Sequence, residues 1–302
     1  MTTMKATAAA IVFAWAGAAA PALAQQQQDF SQVQIRTTKI GPSFYTLEGQ
    51  GGTIGALVGP DGVFMVDSQF APLSDKIMAA LRQISDGRVR FLVNTHVHGD
   101  HTGGNANFAK AGAVIMARPE LRARLARPAP GPNGAPGQPA PALALPMITY
   151  TAKTTVHMNG EEIQLIPVPA AHTDGDTMVY FPTQDVLMMG DFFRTVGYPN
   201  IDRTNGGTLN GMLAGLQAAI DLAKPTTKIV PGHGAITDKA GIAAHRDMIL
   251  VLRDRVAKLI AEGKTQEQVL AAKPTADYDS KVPNVGTTGD RFLGQLYAEL
   301  KR

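Results

Sequence analysis

From about Val33 onward, apolar residues fall in short runs bounded by turn-forming residues. Val33 and Ile35 alternate with polar neighbours. Phe44-Tyr45-Thr46-Leu47, Thr53 to Val58 and Val63 to Val66 follow, separated by Gly-Pro, Gly-Gly and Pro-Asp-Gly. Runs of this length between such punctuation predict strands. Ser74 is then expected to cap a helix reaching about Ile84, because Ile77, Leu81 and Ile84 fall at helical spacing. A short buried strand, Phe91-Leu92-Val93, runs directly into Asn94-Thr95-His96. A helix near Asn105 to Lys110 and a strand from Ala113 to Met116 complete this half.

Arg127 to Pro146 is rich in Pro, Ala and Gly and supports neither regular element, so it reads as a loop insertion at about residues 127–146. It has room to act as a lid, and a solvated linker is the competing reading. The second half repeats the first in outline. Strands are expected around Tyr150, Thr154 to His157, Ile163 to Val168, Met178 to Phe181 and Val186 to Met189. A helix from Thr208 to Ala223, a strand from Lys228 to Val230 and a long amphipathic helix from about Ala240 to Ala261 follow. On that helix Ile242, Ile249, Leu252, Val256, Leu259 and Ile260 form a core-facing stripe. Gln266 to Ala272 and Arg291 to Leu300 read as terminal helices. This order, given twice, predicts an α+β sandwich: two mixed sheets face to face with helices outside, in one domain spanning 25–302.

Residues 1–24 change the picture of where the chain works. Lys5 precedes an apolar stretch from Ala8 to Ala20, and Ala22-Leu23-Ala24 fits a small-x-small cleavage pattern. Together these read as a signal peptide and imply export to the periplasm. After that segment no run approaches the ~18 apolar residues that cross a bilayer, so no membrane span is expected once the signal is removed. The 302 residues carry 28 Lys+Arg against 25 Asp+Glu, a formal charge of +3. That balance argues against a dedicated nucleic-acid binder. The chain contains no Cys, which excludes disulfides, a cysteine nucleophile and thiolate metal sites. Any metal must be held by His, Asp and Glu, and there are seven His.

Three of those histidines stand in one hexapeptide, His96-Val97-His98-Gly99-Asp100-His101, directly after an apolar strand. Extended chain puts His96 and His98 on one side, and a turn at Gly99 can swing Asp100 and His101 toward a second point. Four ligand-type side chains in six residues exceed what one tetrahedral zinc takes from one loop, so the spacing suggests two metals. Ala171-His172-Thr173-Asp174-Gly175-Asp176, Gly190-Asp191-Phe192-Phe193 and Pro231-Gly232-His233-Gly234 each add one such residue after a strand. Each is weak alone, since a lone His beside Gly also serves as a turn residue.

At this point the chain resembles the metallo-β-lactamase-fold hydrolases, whose H-x-H-x-D-H signature is intact at residues 96–101. The resemblance extends from about Phe44 to Arg255 and implies an αββα sandwich with two zinc ions at one edge of the sheets. It implies His96, His98 and His172 on the first zinc, with Asp100, His101 and His233 on the second and Asp191 bridging. Asp67 matches an acidic position that braces the metal loop in that fold.

Met189 to Arg194, followed by Asn200, looks like the zinc β-lactamases whose second zinc uses Cys, with Asp191 in place of that Cys. There Arg194 occupies the position of a Lys that binds the antibiotic's carboxylate, and Asn200 that of a side chain polarising the scissile carbonyl. Having both His101 and Asp191 instead matches the metal set of glyoxalase II and related thioesterases. The Gly49-Gln50-Gly51-Gly52-Thr53 stretch is too short for the mobile hairpin of lactamases.

The expectation is therefore an exported dizinc hydrolase in which zinc-activated hydroxide attacks a carbonyl and Asp100 orients the nucleophile or moves its proton. It leans to β-lactams or related cyclic amides, with a small-molecule substrate carrying a carboxylate. The alternatives are an ester, lactone or thioester hydrolase with the same site, and a non-catalytic module that retains the fold. His157 and His245 have no partner motif and read as structural or surface residues.

Overall fold

The computed structural model describes residues 29–130, 134–283 and 285–301. The expected signal segment lies outside the described residues, as do 131–133 of the expected loop. The first half contains β1 (Arg36–Lys39), β2 (Phe44–Glu48), β3 (Ile54–Gly59), β4 (Gly62–Val66) and α1 (Ser74–Arg82). It continues with β5 (Val89–Val93), α2 (Gly99–Thr102), α3 (Asn105–Lys110), β6 (Val114–Ala117), α4 (Pro119–Ala126) and β7 (Ile148–Thr149). The second half contains β8 (Thr154–Met158), β9 (Glu161–Pro167), β10 (Thr177–Phe181), β11 (Val186–Met188) and α5 (Leu209–Leu222). It ends with β12 (Lys228–Val230), α6 (Lys239–Ala261), α7 (Gln266–Ala271) and α8 (Gly289–Leu300).

Strands β1 to β7 form one sheet in sequence order, antiparallel through β4 and parallel from β4 to β7. The other sheet runs β12-β11-β10-β9-β8, antiparallel except for the parallel β11/β12 pair. Both sheets are mixed, as expected. Period-2 side-chain alternation then divides the core into layers. Phe64 and Val66 of β4 pack between the sheets with Val179 and Phe181 of β10, while Val63 and Met65 face Ile77 and Leu81 of α1. Leu187 of β11 and Ile229 of β12 face Leu216 of α5 and Ile249 and Leu252 of α6. Phe181 meets Phe44 at 4.6 Å and Phe64 edge-on at 6.1 Å, joining the two sheets. The layers are helix, sheet, sheet, helix.

Local differences from expectation have identifiable causes. Ser74 is not a cap: a 3-10 turn over Ala71–Leu73, opened by Pro72, starts the helix earlier. Ser74 is instead buried, and its hydroxyl accepts a hydrogen bond from Asn107 Nδ2 at 2.9 Å. Helix α4 had no sequence signal beyond Pro119 at its start and buries only Leu121. The described part of 127–146 holds only the 3-10 turn Ala142–Ala144, consistent with an irregular loop.

Candidate metal centre

The ligand-type residues follow the carboxyl ends of strands at one edge of the sandwich. β5 leads to His96, β9 to His172, β11 to Asp191 and β12 to His233. After His98, which is extended at φ −63° and ψ 149°, the short α2 turn carries Asp100 and His101. A buried polar network fixes this loop from beneath. Asn94 and Asn105 exchange side-chain amide bonds of 2.8 and 3.0 Å, and Asn94 Nδ2 also donates to the His101 carbonyl at 3.2 Å.

The structure brings all seven predicted residues together in two adjacent groups. His96, His98, His172 and Asp191 converge in one, Asp100, His101 and His233 in the other, each with donor atoms within 4.8 Å of one another. In the first, His172 Nε2 lies 3.0 Å from His98 Nδ1. In the second, His233 Nε2 lies 3.1 Å from Asp100 Oδ2 and 3.5 Å from His101 Nε2. Asp191 joins the groups: its Oδ1 is 3.2 Å from His101 Nε2 and 3.4 Å from His233 Nε2, while its Oδ2 is 3.9 Å from His172 Nε2.

The far ring nitrogens are engaged by the protein. His96 Nδ1 is 3.1 Å from Thr95 Oγ1, His98 Nε2 2.7 Å from Asp202 Oδ2, His101 Nδ1 2.7 Å from Asp67 Oδ2, and His172 Nδ1 2.7 Å from the Asn200 carbonyl. Such outer hydrogen bonds fix the tautomer and aim the free nitrogen, as in metal-binding histidines. Asp67 also accepts from the Thr95 amide and hydroxyl at 2.8 and 2.7 Å, so it braces the loop as its place in the sequence implied. It does so at φ 62°, a left-handed conformation that Asp tolerates. Asp202 carried no motif in the sequence.

Electrostatics and satisfaction agree with a cation here. Burial, reinforced by His101, holds His96 well below the usual imidazole range, leaving it neutral. Its Nε2 is buried with no hydrogen-bond partner. Buried polar atoms are rarely left unpaired, and one aimed into a centre of converging imidazoles and carboxylates fits a metal ligand. Burial raises the Asp100 carboxyl, but the hydrogen bond from His233 and the charge of His101 outweigh it and bring the group down to about 2. Two glycines permit the approach of backbone to these side chains. A Cβ at Gly232 would run into Asp191 Oδ1, and one at Gly52 into the His101 ring.

Arg194 and Asn200, the two expected substrate-binding residues, are each engaged by neighbouring side chains. Arg194 is buried and donates to Asp191 Oδ2 at 3.0 Å and to Thr287 Oγ1 at 3.1 Å. The Asn200 side chain accepts from Gln295 Nε2 at 2.8 Å, and only its backbone carbonyl reaches the centre, through His172. Asp174 takes a bidentate pair from Arg124 at 2.6 and 2.7 Å. Asp176 accepts from the His172 amide at 2.7 Å, and burial pushes its carboxyl up to about 7. His157 and His245 belong to neither group.

Residues 48–233 match the family model of the metallo-beta-lactamase superfamily. Hydroxyacylglutathione hydrolase of Nitrosococcus oceani is 27% identical over 199 residues, covering 65% of this chain and 66% of that protein. The 2,4-dinitroanisole O-demethylase subunit alpha of a Nocardioides species is 32% identical over 138 residues, covering 45% of this chain and 39% of that one. The chain thus spans no more than about two thirds of the length of these relatives. Among solved structures, the sec-alkylsulfatase Pisa1 from a Pseudomonas species superposes with a TM-score of 0.68 at 16% identity, over 87% of this chain and 50% of that one. DIM-1 metallo-beta-lactamase gives 0.59 at 18% identity, over 72% and 99%. At those identities the likeness is one of fold.

Proposed function

Since the chain belongs to the metallo-beta-lactamase superfamily, we propose that it is an exported dizinc hydrolase acting at the carbonyl of a small acyl compound. The observation that carries this reading is the pair of contiguous ligand groups joined through Asp191. His96, His98 and His172 would hold one zinc, Asp100, His101 and His233 the other, and Asp191 both. Two zinc ions held there supply Lewis acidity to a carbonyl and make water acidic enough to lose a proton near neutral pH.

The chain's own groups do the rest. Asp202, Asp67, Thr95 and the Asn200 carbonyl keep four imidazoles in fixed orientations, which removes reorganisation from the reaction. Asp100 is part-exposed at the centre, where its carboxylate, ionised at neutral pH, can accept a hydrogen bond from a nucleophile and orient it. Arg194 offsets charge on Asp191 Oδ2.

Ester, lactone or thioester substrates are favoured over β-lactams. The guanidinium expected to anchor an antibiotic's carboxylate is already shared between Asp191 and Thr287. Two relatives that are similar in sequence are named hydroxyacylglutathione hydrolases. A β-lactam remains the second reading because DIM-1 shares the fold. Export rests on the Lys5, Ala8 to Ala20 and Ala22-Leu23-Ala24 pattern. No helix among the described residues is long and apolar enough to cross a membrane.

Nitrocefin, a lactone panel and an acyl thioester assayed side by side with the zinc-loaded protein test this reading. A clear kcat/KM preference for the lactones or thioester is expected. Preference for nitrocefin would restore the β-lactam reading, and inactivity on all three would refute carbonyl hydrolysis.

A further inference from the structure

A cavity of about 290 Å³ adjoins the first ligand group, with His98 in its wall. This is near the lower end of the ~300–1,000 Å³ of small-molecule pockets, room for a short chain or ring. The apolar part of the wall is Val97 and Leu125 with Pro128, Ala129 and Pro130 from the start of the 127–146 loop, and Gln138, Thr204 and Asn205 supply its uncharged polar part. That loop is tied back by the Ala140 amide, which donates to the Leu125 carbonyl at 2.9 Å.

The cavity's one charged wall residue is Arg124. Its guanidinium is spent on Asp174, through the bidentate pair, and on the Thr204 carbonyl at 3.1 Å and Asn205 Oδ1 at 3.3 Å. A carboxylate placed here would lose its hydration without gaining a free cation. An alkyl or aryl group would gain by leaving water. A separate cleft that includes His233, of the second ligand group, is lined by the ion-paired Arg36 and Glu48 and suits a polar fragment.

We infer that the Leu125–Pro128 wall beside His98 is a specificity pocket for the uncharged, apolar acyl group of the substrate, leaving the His233 side to the departing polar group. The inference rests on the hydrolase reading above and narrows its substrate class to neutral acyl compounds with a short aliphatic or aromatic tail.

The zinc-loaded protein is assayed with 4-nitrophenyl acetate, butyrate and hexanoate. In parallel, binding of acetamide, butyramide and hexanamide is followed by ligand-observed NMR, which needs no turnover. Burial of each methylene is worth up to about fourfold, so butyrate is expected to exceed acetate by about tenfold in kcat/KM, with amide affinity rising alongside. Leu125→Asp should collapse that ratio toward one. Leu125→Phe, which fills the cavity, should turn the preference against hexanoate. Wild-type ratios in both variants, or amide binding that does not strengthen with length, would overturn the pocket. Length-dependent amide binding with no turnover of any ester supports the pocket and counts against the hydrolase reading. Ester turnover with flat amide binding does the reverse.

Discussion

His98 Nε2 donates to Asp202 Oδ2 at 2.7 Å, across 104 residues of sequence, and this leaves Nδ1 as the ring nitrogen that faces the first ligand group. The same turn holds a second histidine of that group. The Asn200 carbonyl meets His172 Nδ1 at 2.7 Å, and the Asp202 amide donates to the His172 carbonyl at 2.9 Å. Asp202→Asn keeps an oxygen for the Asn205 amide that caps the turn but removes the carboxylate from His98. Loss of such a partner costs about 10- to 100-fold in metal affinity. Competition with a chromophoric chelator should show this loss in one of two zinc equivalents, with the thermal midpoint of the metal-free protein little changed. Wild-type affinity for both equivalents would count against a role for Asp202.

What was legible in the sequence was what is local. His96 to His101 declare themselves within six residues, and His172, Asp191 and His233 each follow an apolar run beside Gly. Asp202 was invisible because its partner is distant and the turn that carries it has no periodicity. The position of Arg194 was legible but its direction was not, being set by Asp191 and by Thr287, 93 residues on. Strands such as Gly62–Val66 were found as apolar runs. Both of their faces are buried, so the pattern did not say which side meets the other sheet. Helix α4 escaped notice because burying Leu121 alone leaves no apolar stripe.

Arg194→Ala removes the guanidinium from Asp191 and leaves that carboxylate with one fewer partner in a buried site. Breaking a buried pair costs about 3–5 kcal/mol at the upper end. The expected outcome is reduced zinc content, a lower thermal midpoint and a fall mainly in kcat. Steady-state kinetics with elemental analysis separates this from the alternative. A rise in KM for carboxylated substrates alone, with full zinc and unchanged stability, would return Arg194 to the role of substrate anchor.

Gly232→Ala tests the close approach of backbone to ligand. The added methyl collides with Asp191 Oδ1, and neither it nor the Gly190 backbone behind it has a flexible end to move aside. Overpacking of this kind costs about 1–3 kcal/mol and displaces the carboxylate. Zinc stoichiometry by elemental analysis should fall below two per chain, and activity with it. Retention of both ions at wild-type affinity would show that the loop after β12 yields more readily than its packing suggests.

His245 gives acid sensitivity a source outside the metal centre. Its ring stacks edge-on against Phe193 at 5.2 Å, and its Nε2 is buried without a partner. Burial, with the nearby charge of Arg194, brings the imidazole down to about 4 in the folded protein, from 6.5 ordinarily. The unfolded chain therefore binds a proton at this site over a window in which the folded chain does not. Stability from neutral His245 is present above pH 6.5 and is lost as pH falls toward 4. The full window is worth on the order of 3 kcal/mol. His245→Phe keeps the ring packing and removes the titration, so the variant should lose less stability than wild type between pH 7.5 and 5 in urea unfolding. Carboxylates and zinc ligands titrate equally in both proteins and drop out of the difference. Parallel pH profiles would show that His245 takes up its proton without disturbing the fold.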